Sequence, residues 1–173
     1  DGFDGAAFAQ LAPDGRAPRE AFVREFAAQL ADRAGDASAG GDEAALGELV
    51  ASGMDVNHGN SGGYPPLCRA AVMGQAKCLA MLLGVAEIDV NKAIPTGETP
   101  LFLAATHGHA ECVTLLLARP DIDVNKATSH LVTPLRIAAQ TGHAEVLRLL
   151  LAHPQTDVNQ ADNQGTTPLF MAA

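Results

Sequence analysis

Residues 97–125 read GETPLFLAATHGHAECVTLLLARPDIDVN, and they contain the signals for two helices and the turn between them. Thr99 stands where a side chain caps a helix, and Pro100 at the first helical position has no N–H to satisfy and a φ already suited to a helix. Leu101, Ala104 and Ala105 then share one helical face, with alanines small enough to let a second helix approach closely. Gly108 can take the left-handed conformation that ends the helix. From about Ala110 a second helix carries Val113, Leu116 and Leu117 at i, i+3, i+4 spacing, the stripe of an amphipathic helix with one buried face. A single pair of this size cannot enclose a core, so the stretch must stack on copies of itself.

The copies are present. Asp-Val-Asn occurs at 55–57, 89–91, 123–125 and 157–159, each 34 residues after the last. In the same phase run Pro66-Leu67, Pro100-Leu101, Pro134-Leu135 and Pro168-Leu169, then the Ala pairs at 70/71, 104/105, 138/139 and 172/173. Gly recurs at 74, 108 and 142, and Leu-Leu at 82/83, 116/117 and 150/151. Several columns agreeing over several units specify a solenoid of repeats.

These residues strongly resemble the ankyrin repeat, in which Thr-Pro-Leu opens an inner helix, a Gly-His turn follows, an outer Leu-rich helix comes next, and Asp-Val-Asn leads into a β-hairpin. Gly108-His109 and Gly142-His143 match the turn, and the resemblance covers roughly residues 42–173. It implies an all-α ankyrin-repeat solenoid of stacked helix-turn-helix units with β-hairpin loops. The chain departs from the pattern in four ways. Cys68, Phe102, Arg136 and Phe170 stand where His usually follows Pro-Leu, so the family's Thr-to-His hydrogen bond is missing. Pro65 replaces the capping Thr of one unit. Leu131 replaces the hairpin Gly found at Gly63, Gly97 and Gly165. The units also carry one residue more than the family's common length, placed after the outer helix.

The phase divides the chain into an irregular segment at 1–17, atypical N-terminal capping helices at 18–57, and ankyrin repeats at 58–173, three full and one cut inside its first helix. Within the capping unit, 18–35 predicts a helix with Phe22, Phe26 and Leu30 on one face. A loop is expected over 35–41, followed by a second helix near 42–51. The chain begins at Asp1 rather than Met, and a piece of a longer protein is expected.

Charge and cysteine usage narrow the function. Twenty acidic against 11 basic side chains give net −9, so a nucleic-acid backbone would be repelled. Residues 1–57 alone carry −7, and the acidic outer side of the capping unit is expected to keep that end of the stack soluble. Three cysteines, an odd number, fit a reducing compartment rather than a disulfide framework. No run approaches the ~20 apolar residues of a membrane helix, and no signal peptide opens the chain.

Four motifs invite a chemical reading. GNSGG at 59–63 matches the spacing of a nucleophile elbow with Ser61 as nucleophile, but the sister positions are Pro95 and Ser129, and no buried strand precedes it. Around Asp14-Gly15 and Glu20 lies a faint calcium-loop pattern, in which Gln10, Ala12 and Ala21 occupy positions that need oxygen ligands. His107, His109 and Cys112 fall short of the four ligands of a closed zinc site, and His109 has a structural role in the Gly-His turn. Cys78 and Cys112 occupy neighbouring outer helices, whose ~8 to 10 Å spacing suits packing better than a disulfide. Cys68 is expected to be similar but partly exposed. No phosphate-binding Gly-rich loop is present. No cofactor and no metal is expected.

A solenoid without a convergent polar pocket offers a surface. The resemblance implies a non-catalytic module that binds a protein partner through hairpin tips and the concave inner-helix surface. A scaffold or adaptor role in an intracellular, cytoplasmic setting is expected, with the isolated module monomeric, no nucleic acid bound and no membrane insertion. The alternative is a regulatory or spacer segment of a larger multidomain enzyme. Columns that vary between units are free to serve recognition. They fall on Ser61, Tyr64, Val72 and Met73; on Pro95, Thr96, Glu98, Thr106 and His107; on Ser129, His130, Leu131, Val132, Gln140 and Thr141; and on Asn163, Gln164 and Thr166. Exposed apolar groups supply most contact energy, which favours Tyr64, Met73, His130 and the pair Leu131-Val132.

Overall fold

The computed structural model describes the backbone of residues 17–168 and the side chains of residues 27–168. Eight helices occupy the described residues: α1 Ala17–Gly40, α2 Glu43–Ala51, α3 Pro66–Met73, α4 Ala76–Leu83, α5 Pro100–Thr106, α6 Ala110–Leu117, α7 Pro134–Thr141 and α8 Ala144–Ala152. They form four pairs whose like members pack in two rows, α1, α3, α5 and α7 in the inner row and α2, α4, α6 and α8 in the outer.

Local chemistry sets the ends of each helix. Thr99 Oγ1 accepts from Phe102 N at 3.2 Å and Thr133 Oγ1 from Arg136 N at 3.2 Å, while Pro65 offers α3 no side-chain cap. Gly74, Gly108 and Gly142 turn the chain with φ of 68°, 74° and 74°. One continuous core joins all four pairs, built from the Ala columns of the inner row, Leu79, Leu82, Val113, Leu116, Val146 and Leu150 of the outer row, and Val56, Val90 and Val124 of the connecting segments.

Polar groups lock the units sideways. Asn57 Nδ2 donates to Glu87 O at 2.7 Å while its Oδ1 accepts from Asp89 N at 2.8 Å. Asn91 holds Asp121 O and Asp123 N in the same way, and Asn125 holds Gln155 O and Asp157 N. In the turns, His109 Nε2–H donates to Val72 O and His143 Nε2–H to Thr106 O, both at 3.0 Å. Gln75 fills the same role one unit earlier, donating to Ala39 O at 3.2 Å.

Several expectations need correction. The loop expected over 35–41 is helix as far as Gly40, and only Gly41 and Asp42 connect α1 to α2. Ala31, Ala34, Ala37 and Ser38 are buried, and a Cβ at Gly35 would lie 3.3 Å from Asn60 Nδ2. The small residues therefore continue a close-packed helical face, and burial offsets the ~1 kcal/mol by which each helical Gly disfavours the helix. Leu117 is only half-buried; its neighbour Leu116 is the fully enclosed one. Cys68 is fully buried, with Sγ donating to Lys92 O at 3.4 Å. No strand is present among the described residues; the loops expected as β-hairpins are each closed by a pair of backbone hydrogen bonds. Residues 1–16 and 169–173, the side chains of Phe22 and Phe26, and those of the calcium-loop pattern lie outside the described residues.

Candidate functional site

Four loop tips, residues 60–64, 94–98, 128–132 and 162–166, precede the inner helices. Each closes on itself by two backbone bonds; in the second, Ile94 N donates to Glu98 O at 3.0 Å and Gly97 N to Ile94 O at 2.8 Å. Side chains complete three of them. Asn60 Oδ1 accepts from Gly62 N and Tyr64 N at 3.1 and 2.9 Å, and Asp162 Oδ1 accepts from Gln164 N and Thr166 N, both at 2.8 Å. Thr128 Oγ1 accepts from His130 N and Val132 N at 3.4 and 3.3 Å. In the second tip Ile94 offers no such side chain, and the two backbone bonds close the loop by themselves.

The tips also touch one another. A Cβ at Gly63 would fall 2.8 Å from Pro95 Cγ, and Ser129 N and Oγ both donate to Thr96 O, at 3.4 and 3.0 Å. The third tip departs from the others at Leu131, which has φ 59° and is the one non-glycine with positive φ among the described residues. The residue is 51% exposed. Gly63, Gly97 and Gly165 adopt the same left-handed region in the sister tips without a side chain to place.

The structure divides the expected recognition residues. Ser61, Pro95, Thr96, Ser129, His130 and Leu131 are exposed on the tips; Met73, His107, Gln140 and Thr141 are exposed at the C-terminal ends of α3, α5 and α7. Tyr64, Val72, Glu98, Thr106 and Val132 are half-buried, and Tyr64 and Val72 pack against the core. Thr106 is further committed internally, its hydroxyl donating to Phe102 O at 2.9 Å and its carbonyl receiving His143. Asn163 and Gln164 are exposed on the fourth tip, while Thr166 is half-buried. Tips and helix ends thus lie at opposite ends of the inner helices, with Arg69, Leu103 and Ile137 between.

Two polar features were not foreseen. Arg136, in place of the usual His, forms a salt bridge at 2.7 Å with the Asp162 Oδ2 of the next unit, both side chains being almost enclosed. N–H bonds from Thr166 and Gln164, together with the Arg136 guanidinium, hold the Asp162 carboxyl below its ordinary pKa. Asp32 on α1 accepts from Ser61 N at 2.7 Å, and this bond holds its carboxyl low as well. A periodic sign existed for the first unit, since Gly41 precedes Gly74 by 33 residues and takes the same left-handed turn.

The Ser61 amide serves the Asp32 contact, the three cysteines are buried and free, and no group of three metal-ligating side chains occurs among the described residues. None of the described helices is long and apolar enough to cross a membrane.

Residues 35–128 match the family model for ankyrin repeats in three copies, and residues 115–172 match that for ankyrin repeats in many copies. The chain belongs to the ankyrin-repeat family. Ankyrin repeats are protein–protein interaction modules and are typically non-enzymatic. The first match begins inside α1, so the family pattern reaches into the unit whose sequence looks least typical. No curated protein matches the chain.

Proposed function

We propose that this ankyrin domain is a non-catalytic module that binds a protein partner along its loop tips and concave inner-helix surface, with the third tip at the centre. On this reading α1 and α2 cap the N-terminal end of the stack, consistent with exposed Asp36, Glu43 and Glu48 there.

The carrying observation is Leu131. A left-handed conformation costs a residue with a Cβ roughly 1–2 kcal/mol relative to glycine, and sister tips avoid that cost with Gly97 and Gly165. Strain of this kind persists where surrounding structure imposes it and concentrates at functional positions. Here it presents a half-exposed apolar side chain beside exposed His130, the kind of group that anchors an interface.

The test is the double variant Leu131→Gly with Val132→Thr, titrated against a partner captured with the wild-type domain. Binding should weaken by ~2 kcal/mol or more, with the melting temperature nearly unchanged because relief of strain offsets lost packing. A variant that melts markedly lower yet binds normally when folded would make the tip a packing element and move the site elsewhere.

A further inference from the structure

The inner helices are unequal: α1 has 24 residues, about 36 Å by helical rise, whereas α3, α5 and α7 have 8, 7 and 8. Only the last part of α1 is in register with α3, through Ala37 and Ser38 in the columns of Ala70 and Ala71. Ahead of that register the sister units have a loop tip. This chain has more helix instead, and the helix lies against the first tip.

The contact is specific. Asp32 Oδ1 accepts the Ser61 amide at 2.7 Å, a charge-assisted bond, and Gly35 brings the helix backbone close to Asn60. From the first tip the contacts run on without a gap. Gly63 lies flush with the Pro95 ring, and Thr96 O receives both the amide and the hydroxyl of Ser129. The run thus reaches the tip that carries Leu131.

We propose that α1 is a splint for the row of tips and that Asp32 is its positioning residue, ordering the first tip directly and the third through the second. The consequence for binding rests on the reading that the tips recognise the partner: a pre-ordered row loses less conformational entropy on association.

The test is amide hydrogen exchange by NMR on the free, full chain, so its failure leaves the partner-binding reading intact. Asp32→Ala should speed exchange of the Ser61 amide about tenfold and of the Ser129 amide about twofold or more, with α6 amides unchanged. Asp32→Asn, which keeps an acceptor oxygen, should restore most of both. In a Pro95→Gly background, Asp32→Ala should still reach Ser61 but no longer Ser129. Acceleration confined to Ser61, an equal acceleration in α6, or an effect on Ser129 that survives Pro95→Gly would each overturn the splint.

Discussion

Replacing Gly108 by Ala tests how tightly one unit is keyed into the next. Gly108 has φ 74°, and a Cβ there would stand 2.6 Å from His143 Nδ1 and 2.7 Å from Cε1. Two costs follow. The left-handed backbone penalises any Cβ by roughly 1–2 kcal/mol. The imidazole must also shift, which weakens the His143 Nε2 bond to Thr106 O and costs about 0.5–1.5 kcal/mol more. Gly142 supplies the control, since it has the same φ of 74° and nothing within 4 Å of its Cβ. Gly108→Ala should therefore destabilise by about 1.5–3.5 kcal/mol and Gly142→Ala by about 1–2 kcal/mol. Urea unfolding followed by helical circular dichroism measures both. The decisive comparison is Gly108→Ala in a His143→Ala background, where the ring is gone and the cost should fall to the backbone strain alone. Additive single and double variants, with no coupling energy, would refute the interlock.

Three further outcomes are expected. Asn91→Ala removes two lateral bonds and should lower stability by about 1–3 kcal/mol, whereas Asn159→Ala, whose side chain makes no such pair of bonds among the described residues, should stay within about 0.5 kcal/mol; urea midpoints decide. Because the folded Asp162 carboxyl is held low, its contribution is present above the unfolded Asp value of about 3.9 and is lost as pH falls through the lower folded value. Asp162→Asn should accordingly flatten the stability–pH curve in that acid window, and an unchanged curve would contradict the assignment. Burial pushes the Cys112 thiol up to about 11 and raises Cys68 and Cys78 as well, so iodoacetamide at about pH 8 should leave the native chain unlabelled by mass spectrometry, and denaturant should expose all three.

What could be read from the sequence was whatever repeats at short range. Thr99-Pro100, Gly108 and the Val113/Leu116 stripe specify helix starts, stops and faces within a few residues, and repetition at 34 turned each local signal into a column. Stacking follows because one small pair cannot bury its own apolar face. The recognition surface was legible only as columns that vary, since variation marks freedom from packing without distinguishing exposed His107 from half-buried, internally bonded Thr106.

Tertiary structure decided what depends on residues brought together across units. Gly35 reads locally as a helix breaker, yet the buried contact of α1 with the next inner helix carries the helix through it. Between Leu116 and Leu117 the stripe alone could not choose, because the facing helix determines which one is enclosed. Asn60, Thr128 and Asp162 turn their side chains onto the amides of their own tips, a use that only the folded loops reveal. Asp32 meets Ser61 from 29 positions away, and Arg136 meets Asp162 from the next unit, pairings created only when the units stack. Short-range chemistry determined the repeat; contacts across its interfaces determined which of its residues remain free to meet a partner.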